Sequence, residues 1–168
     1  MSYYPFSFEA EIVRHNVGRY RYTVVFLPDA MVADMPFDRH ARPRISGEVA
    51  DVPFSGAWQP VRGRWYLMLS KPLLRDAGIV IGDTVEVRFR LEDQGSVAVP
   101  AILEDAVAGD RALQDIWATT TAGQKRGFAH HIGSAKTEPT RRKRLDEVVE
   151  SMKTGRSLRD VLRSRRLR

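Results

Sequence analysis

Four consecutive basic residues, Arg141, Arg142, Lys143 and Arg144, make the densest cluster of chemically capable side chains in the chain. They fall in the first turns of a predicted helix, where the macrodipole disfavours cations. Two arrangements answer that conflict. Arg142 and Lys143 can pair with Asp146 and Glu147 at i, i+4, a base-before-acid order worth a few tenths of a kcal/mol, or the cluster can meet an anion or an acidic partner. Arg141 and Arg144 can also serve as buried donors to the preceding helix or to the N-terminal domain. A second group, Arg159, Arg163 and Arg166, is placed by helical spacing on the face opposite Leu158 and Leu162. That amphipathic basic pattern suits phosphates or an anionic membrane surface. The segment holds no aromatic to stack on bases, so nucleic-acid binding there is expected to lack sequence preference. Three readings stand for it: a disordered tail, a docking helix, or a contact with a polyanion.

The remaining candidates carry less. His130 and His131 are adjacent, hence about 100° apart on a helix, and cannot chelate as an i, i+4 pair does. His131 lies on an apolar stripe and is expected to pack with one ring nitrogen satisfied, while His15 and His40 have no neighbouring ligand pattern. With no cysteine there is no disulfide, thiolate nucleophile or Cys-based metal site. No HExxH, GxSxG, P-loop or GxGxxG occurs, and the pairs Glu92-Asp93 and Glu104-Asp105 read as solvation and capping. No metal or cofactor is expected, and no catalytic residue declares itself. An alternative is an enzyme with a pocket between the N-terminal domain and the helices, near Trp58, Trp65, Tyr66 and His131.

These residues sit in a chain of 168, 43% hydrophobic and 29% charged, with 27 Lys+Arg against 21 Asp+Glu. That length is enough for one compact domain, or for a small domain plus an extension, and no apolar run approaches the roughly 20 residues of a membrane span. The N-terminus has neither a basic nor an apolar leader segment, so a cytoplasmic location is expected. Charge is unevenly placed. Residues 1–124 hold 13 Lys+Arg and 16 Asp+Glu, net −3, whereas residues 125–168 hold 14 and 5, net +9. Such asymmetry points to an acidic partner for the C-terminal part.

The first hundred residues read as short strands between turn signals, the pattern of a small barrel or sandwich. Phe8 to Val13, Tyr20 to Leu27, a hairpin of Ile45 to Ala50 with Val52 to Gln59, and a buried strand around Trp65 to Leu69 are predicted. Between Thr84 and Leu91 apolar and polar residues alternate without exception, which specifies a half-buried strand and its register. Gly82 ahead of it can take positive φ and Asp83 can accept backbone N–H groups, a structural pair rather than a catalytic one. From Pro100 the period becomes helical. Phe128, His131, Ile132 and Ala135 share one stripe, Leu145, Val148, Val149 and Met152 another, and Ser157 with Asp160 opens the arginine-rich end in the manner of a capping box.

Two stretches carry a resemblance. VPFSGAWQPVRGRWYLMLSKPLLRDAGIVIGDTVEVRFRLED, through Val52-Pro53, Gly56, Gly63, the helix from Lys71, Gly82-Asp83 and Val85-Glu86-Val87, resembles a bacterial family of small β-barrel domains of unknown function. KRGFAHHIGSAKTEPTRRKRLDEVV resembles the bacteriocin-protection (YdeI/OmpD-associated) helical family, through Ile132, Ala135, Lys136, Thr140, Arg141, Arg144 and Leu145. Phe128 and His131 stand where that family usually has Tyr and Trp, and the end from Ser157 lies outside its pattern. The resemblance implies a fused two-domain protein and a link to envelope stress or antimicrobial-peptide resistance; it brings no catalytic residue. The expected architecture is α+β: a closed antiparallel-rich barrel of about six strands with short capping helices at 5–99, a helical unit at 100–156, and a basic helix or tail at 157–168. The expected role is non-enzymatic binding or regulation, with nucleic acid or another polyanion as partner.

Overall fold

The computed structural model describes residues 3–167. The chain divides into two compact units, Met1–Gln94 and Gly95–Arg168.

The first unit contains eight strands, β1 (Phe6–Glu11), β2 (Val13–Val17), β3 (Tyr20–Phe26), β4 (Arg44–Val49), β5 (Val52–Ala57), β6 (Gln59–Val61), β7 (Arg64–Met68) and β8 (Thr84–Leu91). A 3-10 turn (Asp29–Asp34) and helix α1 (Lys71–Ala77) lie between them. The expected closed barrel does not form. The strands make two separate four-stranded antiparallel sheets, β1-β8-β4-β5 and β2-β3-β7-β6, each with two unpaired edges.

The physical reason is a pair of corners. One residue, Ile12, separates β1 from β2, and one residue, Trp58, separates β5 from β6; at each the chain leaves one sheet and enters the other. Switching sheets at a bend in a nearly continuous strand makes two packed layers rather than one closed ladder. Both corner side chains are fully buried. The backbone of Ile12 is clamped by Gly82 and Asp83: Ile12 N–H donates to the Asp83 carbonyl at 2.8 Å and Gly82 N–H to the Ile12 carbonyl at 2.8 Å. Gly82 takes φ 97°, and the Asp83 carboxylate accepts from Val80 N–H at 2.8 Å. That turn therefore anchors the first corner as well as launching β8.

Both sheets feed one core. Phe8, Ile45, Val87 and Phe89 enter it from the first sheet and Val25 and Leu67 from the second. β4 crosses β8 so closely that a Cβ on Gly47 would stand 1.9 Å from the Arg88 carbonyl oxygen, so only glycine fits there.

The second unit is helical: α2 (Ala101–Ala108), α3 (Arg111–Thr119), α4 (Ala122–Gly133), α5 (Glu138–Thr154) and α6 (Leu158–Arg166). Its core gathers Leu103, Leu113, Ile132, Val148 and Met152. Side-chain caps start the helices: Asp110 for α3, Thr121 in a capping box with Gln124 for α4, Thr137 for α5 and Ser157 for α6. Each satisfies N–H groups that have no partner inside the helix.

Asp110 accepts from Ala112 N–H at 2.9 Å and Leu113 N–H at 3.2 Å, and Lys153 Nζ from α5 lies 2.7 Å from its other oxygen. The hydrogen bond from Lys153, then the one from Leu113 N–H, holds its carboxyl below the ordinary 3.8. A depressed folded pKa supplies stability that is complete above the ordinary value and lost as pH falls through the lower folded one. Asp110→Ala is therefore expected to lower the melting temperature at neutral pH, with the gap to the parent narrowing as pH falls below the ordinary 3.8. Thermal melts across that range check it, and a gap that stays constant with pH refutes the linkage.

Candidate polyanion interface

α5 owes its start to Thr137, Pro139 in the first turn and the acidic Glu138, and its end to Gly155 at φ 68°. The basic cluster just inside that start is largely occupied. Arg141 donates to Glu138 at 3.0 Å, and Arg142 lies 3.5 Å from the same carboxylate. Arg144 donates to the His131 carbonyl at 2.9 Å and to Ser134 Oγ at 2.7 Å. A cation thus sits at the C-terminal end of α4, where the macrodipole favours it. Pairing of Arg142 and Lys143 with Asp146 and Glu147 is not what the structure shows. Glu138, one turn nearer the N-terminus, takes Arg142 in the stronger acid-before-base order. Glu147 is buried instead against His131, with Nε2 and Oε2 2.8 Å apart across α4 and α5. Lys143 is exposed and has no ion-pair partner among the described residues.

α6 is an ordered helix docked on α5. Ser157 accepts from Asp160 N–H at 3.1 Å and donates to the Asp160 carboxylate at 2.6 Å, the capping pair expected from their spacing. Val161 is fully buried, and Arg165 donates to Glu150 of α5 through both Nε (2.8 Å) and Nη2 (2.6 Å). With that side committed, Arg159, Arg163 and Arg166 are exposed and none has an ion-pair partner among the described residues. They are not opposite Leu158 and Leu162, as expected; all five, with Leu167, line one shallow groove. The difference is angular: at 100° per residue the leucines lie beside the arginines, and Val161 and Arg165, with Leu158 packed on the helical core, mark the docked side. Arg165, absent from the candidate set, is the anchor. Its i, i+4 spacing from Val161 was the available signal.

The result is a helical unit with 15 Lys+Arg and 9 Asp+Glu, net +6 over residues 95–168, in which Lys143, Arg159, Arg163 and Arg166 have no ion-pair partner among the described residues. Such a surface attracts phosphates, sulfates or carboxylates by Coulomb attraction and counterion release.

Of the four residues named for a pocket, three belong to the first unit. Trp58 is fully buried against Phe8 and Phe89; Trp65 stacks on Phe37 at 3.9 Å with planes 11° apart; Tyr66 is buried beside His15 at 4.7 Å. His131, in the second unit, holds Glu147. Within the helical unit a cleft of about 420 Å³ is lined by Phe128, Met152 and Leu158 with Gln124, Arg156 and Ser157 among its polar groups; no carboxylate or imidazole lines it. Among the described residues no three His, Asp or Glu side chains gather where a metal could bind, and no helix is long and apolar enough to cross a membrane.

With two units of this kind in this order, the class is a β-rich domain fused to a basic helical domain. Residues 8–89 match the family described as "Domain of unknown function (DUF1905)" and residues 96–155 match "Bacteriocin-protection, YdeI or OmpD-Associated". The chain carries both domains, in the arrangement that the sequence resemblance implies. No curated protein matches it. α6 lies beyond the second match.

Proposed function

We propose that this is a non-enzymatic binding or regulatory protein whose C-terminal helices contact a polyanion. One observation carries the reading: where several cations are neutralised by Glu138, Glu150 or helix carbonyls, exposed ones that include Lys143, Arg159, Arg163 and Arg166 have no ion-pair partner among the described residues. Two long helices anchor them, so the charges are held in place before any partner arrives. The absence of aromatics from α6 favours recognition of backbone charge over base identity.

The experiment is a salt titration of binding to a short labelled DNA duplex, comparing the full chain with one ending at Arg156. Affinity should fall steeply with salt and collapse on truncation. Binding that survives removal of residues 157–168 together with Lys143→Glu overturns the proposal.

A further inference from the structure

The sheet β2-β3-β7-β6 has an anomalous outer face. Its inner side sends Val25 and Leu67 into the core. A sheet covered on one side only normally alternates apolar inward and polar outward. Here the outward side is apolar too. Register places Val17 opposite Tyr20, His15 opposite Tyr22, and Phe26 opposite Tyr66, and residues opposite each other share a face. Val17, Tyr20 and Met68 on it are 41%, 61% and 44% exposed, while Val24 and Tyr66 on the same face are buried, so the open part is the end formed by β2 and the start of β3 with Met68.

The aromatic groups on this face are organised. Tyr20 and Tyr22 lie with ring centroids 6.3 Å apart and planes within 22°, and the Arg64 guanidinium sits 4.1 Å from the centre of the Phe26 ring. His15 lies between Phe26 and Tyr66, with its Nε2 buried and without a hydrogen-bond partner among the described residues. The charge here has one sign. Residues 12–27 and 58–70, which include all four strands of this sheet and its two hairpin turns, hold Arg14, Arg19, Arg21, Arg62 and Arg64 and no Asp or Glu. The rest of residues 1–94 holds 7 Lys+Arg against 12 Asp+Glu. Arg64 stands on the face of the rings and Arg19 and Arg62 lie in the two hairpin turns, whereas register puts Arg14 and Arg21 on the opposite face.

From this juxtaposition we infer that the outer face of β2-β3-β7-β6 is a stacking platform for single-stranded nucleic acid. Exposed rings stack on bases that are not already stacked in a duplex, and the arginines follow the phosphates. Rings and arginines also mark protein interfaces, but the lack of any carboxylate over these strands selects a polyanion. The residues of this site all belong to the first unit and include none from α5 or α6.

The test measures fluorescence polarisation of a labelled oligothymidylate of about a dozen nucleotides, an abasic strand of equal length and a duplex. The full chain should prefer oligothymidylate to the abasic strand. Tyr20→Leu, which keeps apolar bulk without a ring, and Tyr20→Ala with Tyr22→Ala should weaken oligothymidylate binding by about tenfold while leaving the abasic strand unaffected. Arg19→Ala with Arg62→Ala, at exposed turn positions, supplies a variant that spares the rings and should lower the salt slope on oligothymidylate. Arg159→Glu with Arg163→Glu should weaken all three probes and leave the preference for bases intact. Equal affinity for oligothymidylate and the abasic strand overturns the inference, as does a preference that the tyrosine variants leave unchanged; in either case duplex binding lost in the α6 variant would leave the helical reading standing. Absence of binding to every strand at low salt, or capture of an acidic protein alone, overturns it too.

Discussion

Trp58→Ala is expected to destabilise the first unit by about 3–5 kcal/mol, the range for removing a large buried aromatic side chain. The residue is 0% exposed, meets Phe89 edge-on at 5.4 Å and Phe8 at 6.2 Å, and its backbone N–H donates to the Pro43 carbonyl at 3.1 Å. It also occupies the corner at which the chain passes from one sheet to the other, so the void opens where both layers meet. A loss of that size is a large share of the roughly 5–15 kcal/mol that holds a domain folded. Its indole N–H has no hydrogen-bond partner among the described residues. Trp58→Phe removes that unmet donor, which costs about 1–3 kcal/mol when buried, and should retain much more stability than Trp58→Ala. Urea unfolding followed by far-UV circular dichroism separates the variants. Equal losses for both would remove the argument from the orphaned donor, and a negligible loss for alanine would remove the corner from the core.

The same residue shows where sequence reading stopped. β8 was legible because one of its faces is dry and the other wet: Val85, Val87 and Phe89 are buried, and they alternate with exposed Thr84 and Glu86 and half-buried Arg88 and Arg90. The caps Thr137 and Ser157 were legible because their partners lie three residues away. A corner at Ile12 or Trp58 has no such signature. It uses an ordinary apolar residue in a continuous extended run, and what bends the chain is contact with elements far along it, such as the clamp from Gly82 and Asp83. Without those corners, strands of this length read as one closed ladder.

The basic end was legible in composition and not in pairing. Which arginine is free depends on partners 13 to 15 residues away, as for Arg144 with the His131 carbonyl and Arg165 with Glu150. The positive sheet was hidden by averaging. Its five arginines lie within residues 1–124, whose total is net −3, and only the pairing of β3 with both β2 and β7 assembles them.

Paired and unpaired arginines should therefore separate cleanly when mutated. Lys143→Glu, Arg159→Glu, Arg163→Glu and Arg166→Glu together remove four exposed cations and no ion pair among the described residues. Each phosphate contact adds about 0.9 to the slope of log affinity against log salt on duplex DNA, so the variant should lose about 3 to 4 of that slope and on the order of a hundredfold or more in affinity at low salt. Its melting temperature should hardly move, because relieving like-charge repulsion offsets any loss of surface contacts. Arg144→Ala should behave oppositely. It strips a charge-assisted bond from the end of α4, at about 1–3 kcal/mol, and leaves the salt slope within about one unit of the parent. Salt-dependent binding and thermal melts on the same two proteins decide the matter. Matching losses of slope in both variants would show that cations counted here as structural also reach the partner, and the division between anchoring and contacting arginines would fall.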